Sequence, residues 1–244
     1  LQTGANLSWQ VALGDTAGAR ARWPAYDALV DALDEPLTRS DRELWACALL
    51  LAEGQADAAT QRLRRWLRDV KRRDPRFELY ALIPLARALL RSGDSAGALR
   101  ATTRGTRLHR ERGFGHAGMG QSQDIWWWHS RALAGCGRGD EAFAALRQAH
   151  ALLLAAVRNV RDEGLRRCYL NKHEVNRCIV REWLAQAARR GLPDTERLAH
   201  LALPSSAVEP FQRLVDTGMR MNALRSAAEL NDFLIDEVTE LAGA

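Results

Sequence analysis

The chain has 244 residues, 47% apolar and 27% charged, and its 35 basic and 30 acidic side chains leave a formal net charge of +5 at pH 7. Such a balance can bury a substantial core and excludes a disordered or low-complexity chain. No apolar run nears the roughly 20 residues that span a bilayer, no signal-peptide pattern is legible, and the four cysteines (Cys47, Cys136, Cys168, Cys178) lack the density and pairing of a disulfide scaffold, so a cytoplasmic setting is expected.

Alanine, leucine and arginine dominate, and β-branched residues are sparse, which favours helix throughout. The first landmark in chain order is "GDTAGAR" at 14–20, which returns as "GDSAGAL" at 93–99. A glycine in the left-handed region closes one helix, and the aspartate that follows caps the next. Gly54 and Gly137 complete the series, with steps of 40, 39 and 44 residues. Five residues after each glycine stands an alanine: Ala19, Ala59, Ala98 or Ala142. Seven residues before the last three glycines stands a small residue (Cys47, Ala86, Ser130), and four before them a leucine (Leu50, Leu89, Leu133). The spacing predicts two antiparallel helices per unit, meeting where the small residue and the alanine let the backbones approach.

This pattern resembles the tetratricopeptide repeat. Trp126, Ser130, Leu133, Ala142, Leu146 and Ala149 fit its signature, as do Leu82, Ala86, Leu89 and Ala98, although Thr102 and Gly105 are expected to weaken the second helix of that unit. The resemblance implies an all-α, right-handed solenoid of antiparallel helix pairs over residues 1–203, with turns near 14, 54, 93, 137 and 191. The period is close to 40 residues here, against about 34 in the family. Around Gly14 the first helix is short, and Gln10 stands where a leucine belongs. The chain starts at Leu1 and stops at "ELAGA", so it is expected to be a segment of a longer protein.

Along this array four stretches could carry chemistry. Residues 62–76, "RLRRWLRDVKRRDPR", hold eight basic and two acidic side chains. Arg62, Arg65, Arg68 and Arg72 recur there at helical spacing, a pattern shared by a solvated face and a phosphate-binding surface. "GFGHAG" at 113–118 matches the dinucleotide-loop spacing, but a helix precedes it where that loop needs a strand, so it reads as a lengthened connection. In "DIWWWHSR" at 124–131, Trp126 takes the core position, leaving Trp127 and Trp128 about 100° and 200° around the helix. The family geometry implies that Asp124, Trp127 and Arg131 face the groove made by successive first helices, with Tyr80, Ile83 and Arg87 at matching positions one unit earlier. Such residue types are enriched at binding hot spots, but Trp127 packed against a neighbouring unit is the competing reading. Cys168, His173 and Cys178 stand at five-residue steps, which turn a helix about 140° each, so they could share a metal only if the helix broke.

Beyond a helix ending near Gly191, Pro193 opens another, and the stretch "RNVRDEGLRRCYLNKHEVNR" between the arrays resembles a connection near the end of helical-repeat regions in large bacterial regulators. "LPSSAVEP" at 203–210 reads as a break, with 204–210 as linker. Residues 211–244 then read as one long helix. Met221, Leu224, Ala228, Ile235 and Val238 form an apolar stripe there, expected to dimerise or relay a signal. "ELNDFLIDEVTELAGA" resembles the first helix of a GAF domain, which implies that such a domain follows.

The leading expectation is a non-catalytic regulatory module of a bacterial signalling protein, coupling a protein or peptide partner in the groove to a GAF-linked output. The alternatives are a stand-alone peptide-binding scaffold and a nucleic-acid- or phosphate-binding array through 62–76. No catalytic residue, cofactor site or metal site is expected, and no membrane partner.

Overall fold

The computed structural model describes residues 10–11, 15–33, 35–73, 77–114, 121–158, 160 and 162–201. Among the described residues there are ten helices and no strand. They are α1 (Thr16–Leu33), α2 (Pro36–Ala52), α3 (Ala56–Arg73), α4 (Glu78–Arg91), α5 (Ser95–Glu111), α6 (Asp124–Gly135), α7 (Gly139–Arg158), α8 (Glu163–Asn171), α9 (Glu174–Arg189) and α10 (Asp194–Arg197). The chain divides into two compact units between Ala145 and Leu146, within α7. In the first unit chain neighbours pack together, and α4 also touches both α2 and α6. In the second, α9 packs against α8 and α10.

The turns explain the spacing. Gly54, Gly93 and Gly137 have φ of +76°, +83° and +75°, a region that costs other residues about 1–2 kcal/mol. Past each glycine, the next N–H reaches back to the leucine four residues before it. Gln55 donates to Leu50 at 2.8 Å, Asp94 to Leu89 at 2.9 Å and Arg138 to Leu133 at 3.0 Å. The recurring leucine is therefore the residue whose carbonyl closes the helix end. Gly191 repeats the arrangement, with Leu192 donating to Ala187 at 3.0 Å. Gly113 does so too at the end of α5, a turn the 40-residue spacing does not mark.

The duplicated heptad has its own logic. Asp94 is the N-cap of α5, and its Oδ1 accepts the Gly97 N–H at 2.7 Å. Asp15 accepts the Gly18 N–H at 2.8 Å in the same way. A Cβ on Gly97 would lie 2.2 Å from the Asp94 carboxylate, and one on Gly18 would lie 2.1 Å from that of Asp15. The second glycine of each phrase makes room for the cap. Gly14 lies outside the described residues.

Between paired helices the small residues sit where expected: Cys47, Ala59, Ala86, Ala98, Ser130 and Ala142 are all buried. The Ser130 hydroxyl donates to the Ala142 carbonyl at 2.7 Å, and the Cys47 thiol points to the equivalent Ala59 carbonyl at 4.0 Å. Leu63, Trp66, Leu82, Leu85 and Leu89 fill the core around them. A smaller cluster of Ala19, Tyr26, Val30 and Leu49 joins α1 to α2.

One expectation needs correction, and two segments gain detail. α5 runs unbroken through Thr102 and Gly105. The Thr102 hydroxyl donates to the Ala98 carbonyl at 2.9 Å, and Gly105 leaves space for Ile125, whose Cδ1 would stand 2.6 Å from an added Cβ. The segment before α9 contains a nine-residue helix, α8, capped by Asp162. The helix after Pro193 is a single turn, α10. The linker at 204–210 and the stripe of Met221, Leu224, Ala228, Ile235 and Val238 lie outside the described residues.

Candidate interaction surfaces

α6 opens on a tight turn in which the Asp124 N–H donates to the Gln121 carbonyl at 3.0 Å and Asp124 Oδ2 accepts the Gln121 N–H at 3.2 Å. Asp124 Oδ1 is buried without a hydrogen-bond partner. Burial pushes this carboxyl up to about 7, against smaller opposing effects of the Gln121 N–H and the Arg87 charge.

The three tryptophans that follow diverge. Trp126 is buried, and its indole N–H donates to His109 Nδ1 at 2.9 Å, which fixes the accepting nitrogen of a fully buried imidazole. Arg110 covers the Trp126 ring at 4.7 Å. Phe114, held at a φ of 61°, packs beside it with ring centroids 6.2 Å apart. Trp127 is 7% exposed, and the Arg131 guanidinium lies 5.6 Å from its ring centre. Trp128 is half-buried, with Arg87 of α4 6.0 Å from its ring centre. The two indoles are 6.3 Å apart.

Of the six groove residues read from the sequence, Tyr80 and Trp127 are therefore buried, Ile83, Arg87 and Asp124 are half-buried, and Arg131 is exposed. Tyr80 packs edge-on against Phe77 at 6.1 Å. The aromatic with surface left to offer is Trp128, which the family register did not select. The sequence signal for it was its place one turn before Arg131, and the structure sets it against Arg87 of α4.

The basic segment splits. Arg62 is locked in a two-pronged pair with Glu43, at 2.7 and 3.0 Å. Arg65 and Arg68 are exposed, and the Arg72 side chain lies outside the described residues. α2 and α3 line a cavity of about 690 Å³ whose wall includes Arg62, Arg65, Trp66 and Phe77. Apolar and charged groups both line it, Glu43 and Asp69 among them, so it is no uniform anion trap.

The spacing of Cys168, His173 and Cys178 is interrupted at 172–173, between α8 and α9. Even so, no three acidic, cysteine or histidine side chains among the described residues could hold a metal together. Gly113 and Phe114 of the glycine-rich stretch follow α5, and the rest of it lies outside the described residues. No described helix is long and apolar enough to cross a membrane.

In the second unit, His150 stacks on Trp183 with ring centroids 4.4 Å apart and planes 12° apart, while His200 meets it edge-on at 6.1 Å. All three side chains are buried. Burial, and to a lesser degree His200, pulls His150 down to about 4. No periodicity joins residues this far apart, which is why the sequence shows three unrelated side chains here.

Comparison with protein-family models, with curated proteins and with solved structures finds no match to this chain.

Proposed function

We propose that this chain is a non-catalytic interaction and regulatory module in which paired helices continue as a right-handed, tetratricopeptide-like solenoid. A protein or peptide partner docks on the first helices α4 and α6, and residues 211–242 couple that event to a GAF-linked output, as a dimer. One observation carries the reading: on neighbouring helices, Arg87 lies against Trp128 and Arg131 against Trp127. Arginine stacked on tryptophan restrains both side chains before binding and offers apolar area beside fixed N–H donors. A partner with an acidic residue next to a large apolar one would meet both.

Selection against a random peptide library, using the full chain and its Trp128→Ala variant, tests this. Peptides carrying an acidic–apolar pair should be enriched by the parent and lost with the variant, while helical circular dichroism stays the same. A library that yields no enriched sequence, or the same set from both proteins, refutes the docking face. Relay is tested by solution mass: the chain of 244 residues should be a dimer, and a form ending at Pro204 a monomer. Two monomers with peptide binding intact would instead leave a stand-alone scaffold.

A further inference from the structure

The outer face of α5 carries Arg100, Arg104, Arg107 and Arg110 at steps of four, three and three residues, close to one stripe of a helix. Arg138, from the turn after α6, joins them around an open cleft of about 800 Å³, within the range of about 300–1,000 Å³ typical of ligand sites. Among the described residues no carboxylate lines this cleft. Its remaining polar lining includes the hydroxyls of Thr103 and Thr106 and the ring of His129.

The charges are only partly answered. Arg104 pairs with Glu78 (Nη2 to Oε2, 2.8 Å), Arg138 with Glu141 (Nε to Oε1, 2.7 Å) and Arg107 with Glu111 at 3.7 Å. Among the described residues, five arginines less three carboxylates leave an excess of two, on Arg100, which is exposed, and on Arg110, which leans on Trp126. His129 reports the same field. It is pulled down to about 4 by burial first and then by the positive charges of Arg110 and Arg138.

Guanidinium groups stay protonated at any working pH and match phosphate oxygens two at a time. Several of them converging on one cleft demand negative charges packed closely in the ligand. Among the described residues the aromatic ring in the wall is that of His129, which is half-buried, so the cleft offers no exposed platform on which the bases of a nucleic-acid strand could stack. We propose that this cleft binds a small, multiply phosphorylated ligand, a chain of linked phosphates or a molecule bearing one, held by Arg100, Arg107, Arg110 and Arg138. The assignment uses different residues from the Trp128 face and stands or falls separately.

Inorganic tripolyphosphate is the probe, titrated calorimetrically into the full chain at about 50 and then about 200 mM salt. The expected result is one saturable site that weakens severalfold with salt. Arg100→Ala combined with Arg107→Ala should weaken it tenfold or more, because both side chains are exposed and leave the core alone. Arg65→Ala combined with Arg68→Ala, on α3, should change nothing. In the parent, tripolyphosphate should also raise the His129 titration midpoint, followed by proton NMR, toward its ordinary value. The absence of saturable binding, or binding that survives the α5 double variant, overturns the proposal. So does a single-stranded oligonucleotide that competes for the site and binds more tightly than tripolyphosphate.

Discussion

Replacing Asp124 by Asn should make the protein more stable in alkaline solution and leave it nearly unchanged in mild acid. The carboxyl sits at the start of α6 with Oδ1 buried and without a partner, and titrates near 7 against an ordinary 3.8. Its folded value is raised, so the folded state holds a proton that the unfolded chain has released between these two values. The stability it contributes is therefore full below 3.8 and is lost as pH rises through about 7, above which the burial cost of the charge is complete. The gap between 3.8 and about 7 is worth about 4 kcal/mol at most, since a tenfold change in proton affinity corresponds to about 1.36 kcal/mol. Partial exposure reduces that, and a charged carboxylate in the first turn recovers about 0.3–1 kcal/mol from the helix dipole, which leaves about 2 kcal/mol. Asn keeps the shape and an acceptor for the Gln121 N–H. Urea unfolding of both proteins at about pH 8.5 and pH 5 should show a gain of about 2 kcal/mol for Asp124→Asn at the higher pH and less than about 1 at the lower. A gain of equal size at both, or a loss at pH 8.5, would refute the reasoning that the burial of charge dominates at this position.

Gly105→Ala should destabilise the first unit by about 1 kcal/mol, as overpacking against buried Ile125 outweighs the roughly 1 kcal/mol gained in helix propensity; thermal melts would show it, and a higher melting point would mean that Ile125 moves aside freely. His150→Phe should blunt acid unfolding. His150 is depressed to about 4 from an ordinary 6.5, so its contribution is full above 6.5 and is lost as pH falls through 4, up to about 3 kcal/mol. Asp124 and Asp41, the latter raised to about 6 mainly by burial, act in the opposite direction, so the difference between parent and variant is the quantity to follow. Identical pH profiles for the two proteins would remove His150 from the account.

How much of this was legible depended on the range of the interaction. The turns at Gly54, Gly93 and Gly137 are local events, decided by one conformational requirement and a few neighbouring hydrogen bonds, and the glycine spacing exposed them. The same holds for Asp94 and Gly97, three residues apart. Gly105 misled, because helix propensity speaks of an isolated helix while its neighbour Ile125 comes from α6. The stacking of His150 on Trp183 and the pairing of Arg104 with Glu78 join residues 33 and 26 positions apart, beyond any periodic signal. The basic cleft was hidden for a related reason. Its arginines are spread among neutral residues and look sparse next to the run at 62–76, yet α5 brings them onto one stripe, whereas the denser run loses Arg62 to Glu43.

The packing of each helix in the first unit against its near neighbours in the chain has a kinetic meaning. Helices α1 to α6 find their main contacts one or two elements away, so few loops of long sequence separation must close before burial begins. Folding of that unit should start from any single pair and spread along the chain, on the fast side of the range for its size. The same economy makes each helix depend on few partners. Among the described helices α1 packs chiefly on α2 and should exchange its amide hydrogens before α4, which is held by α2, α3, α5 and α6.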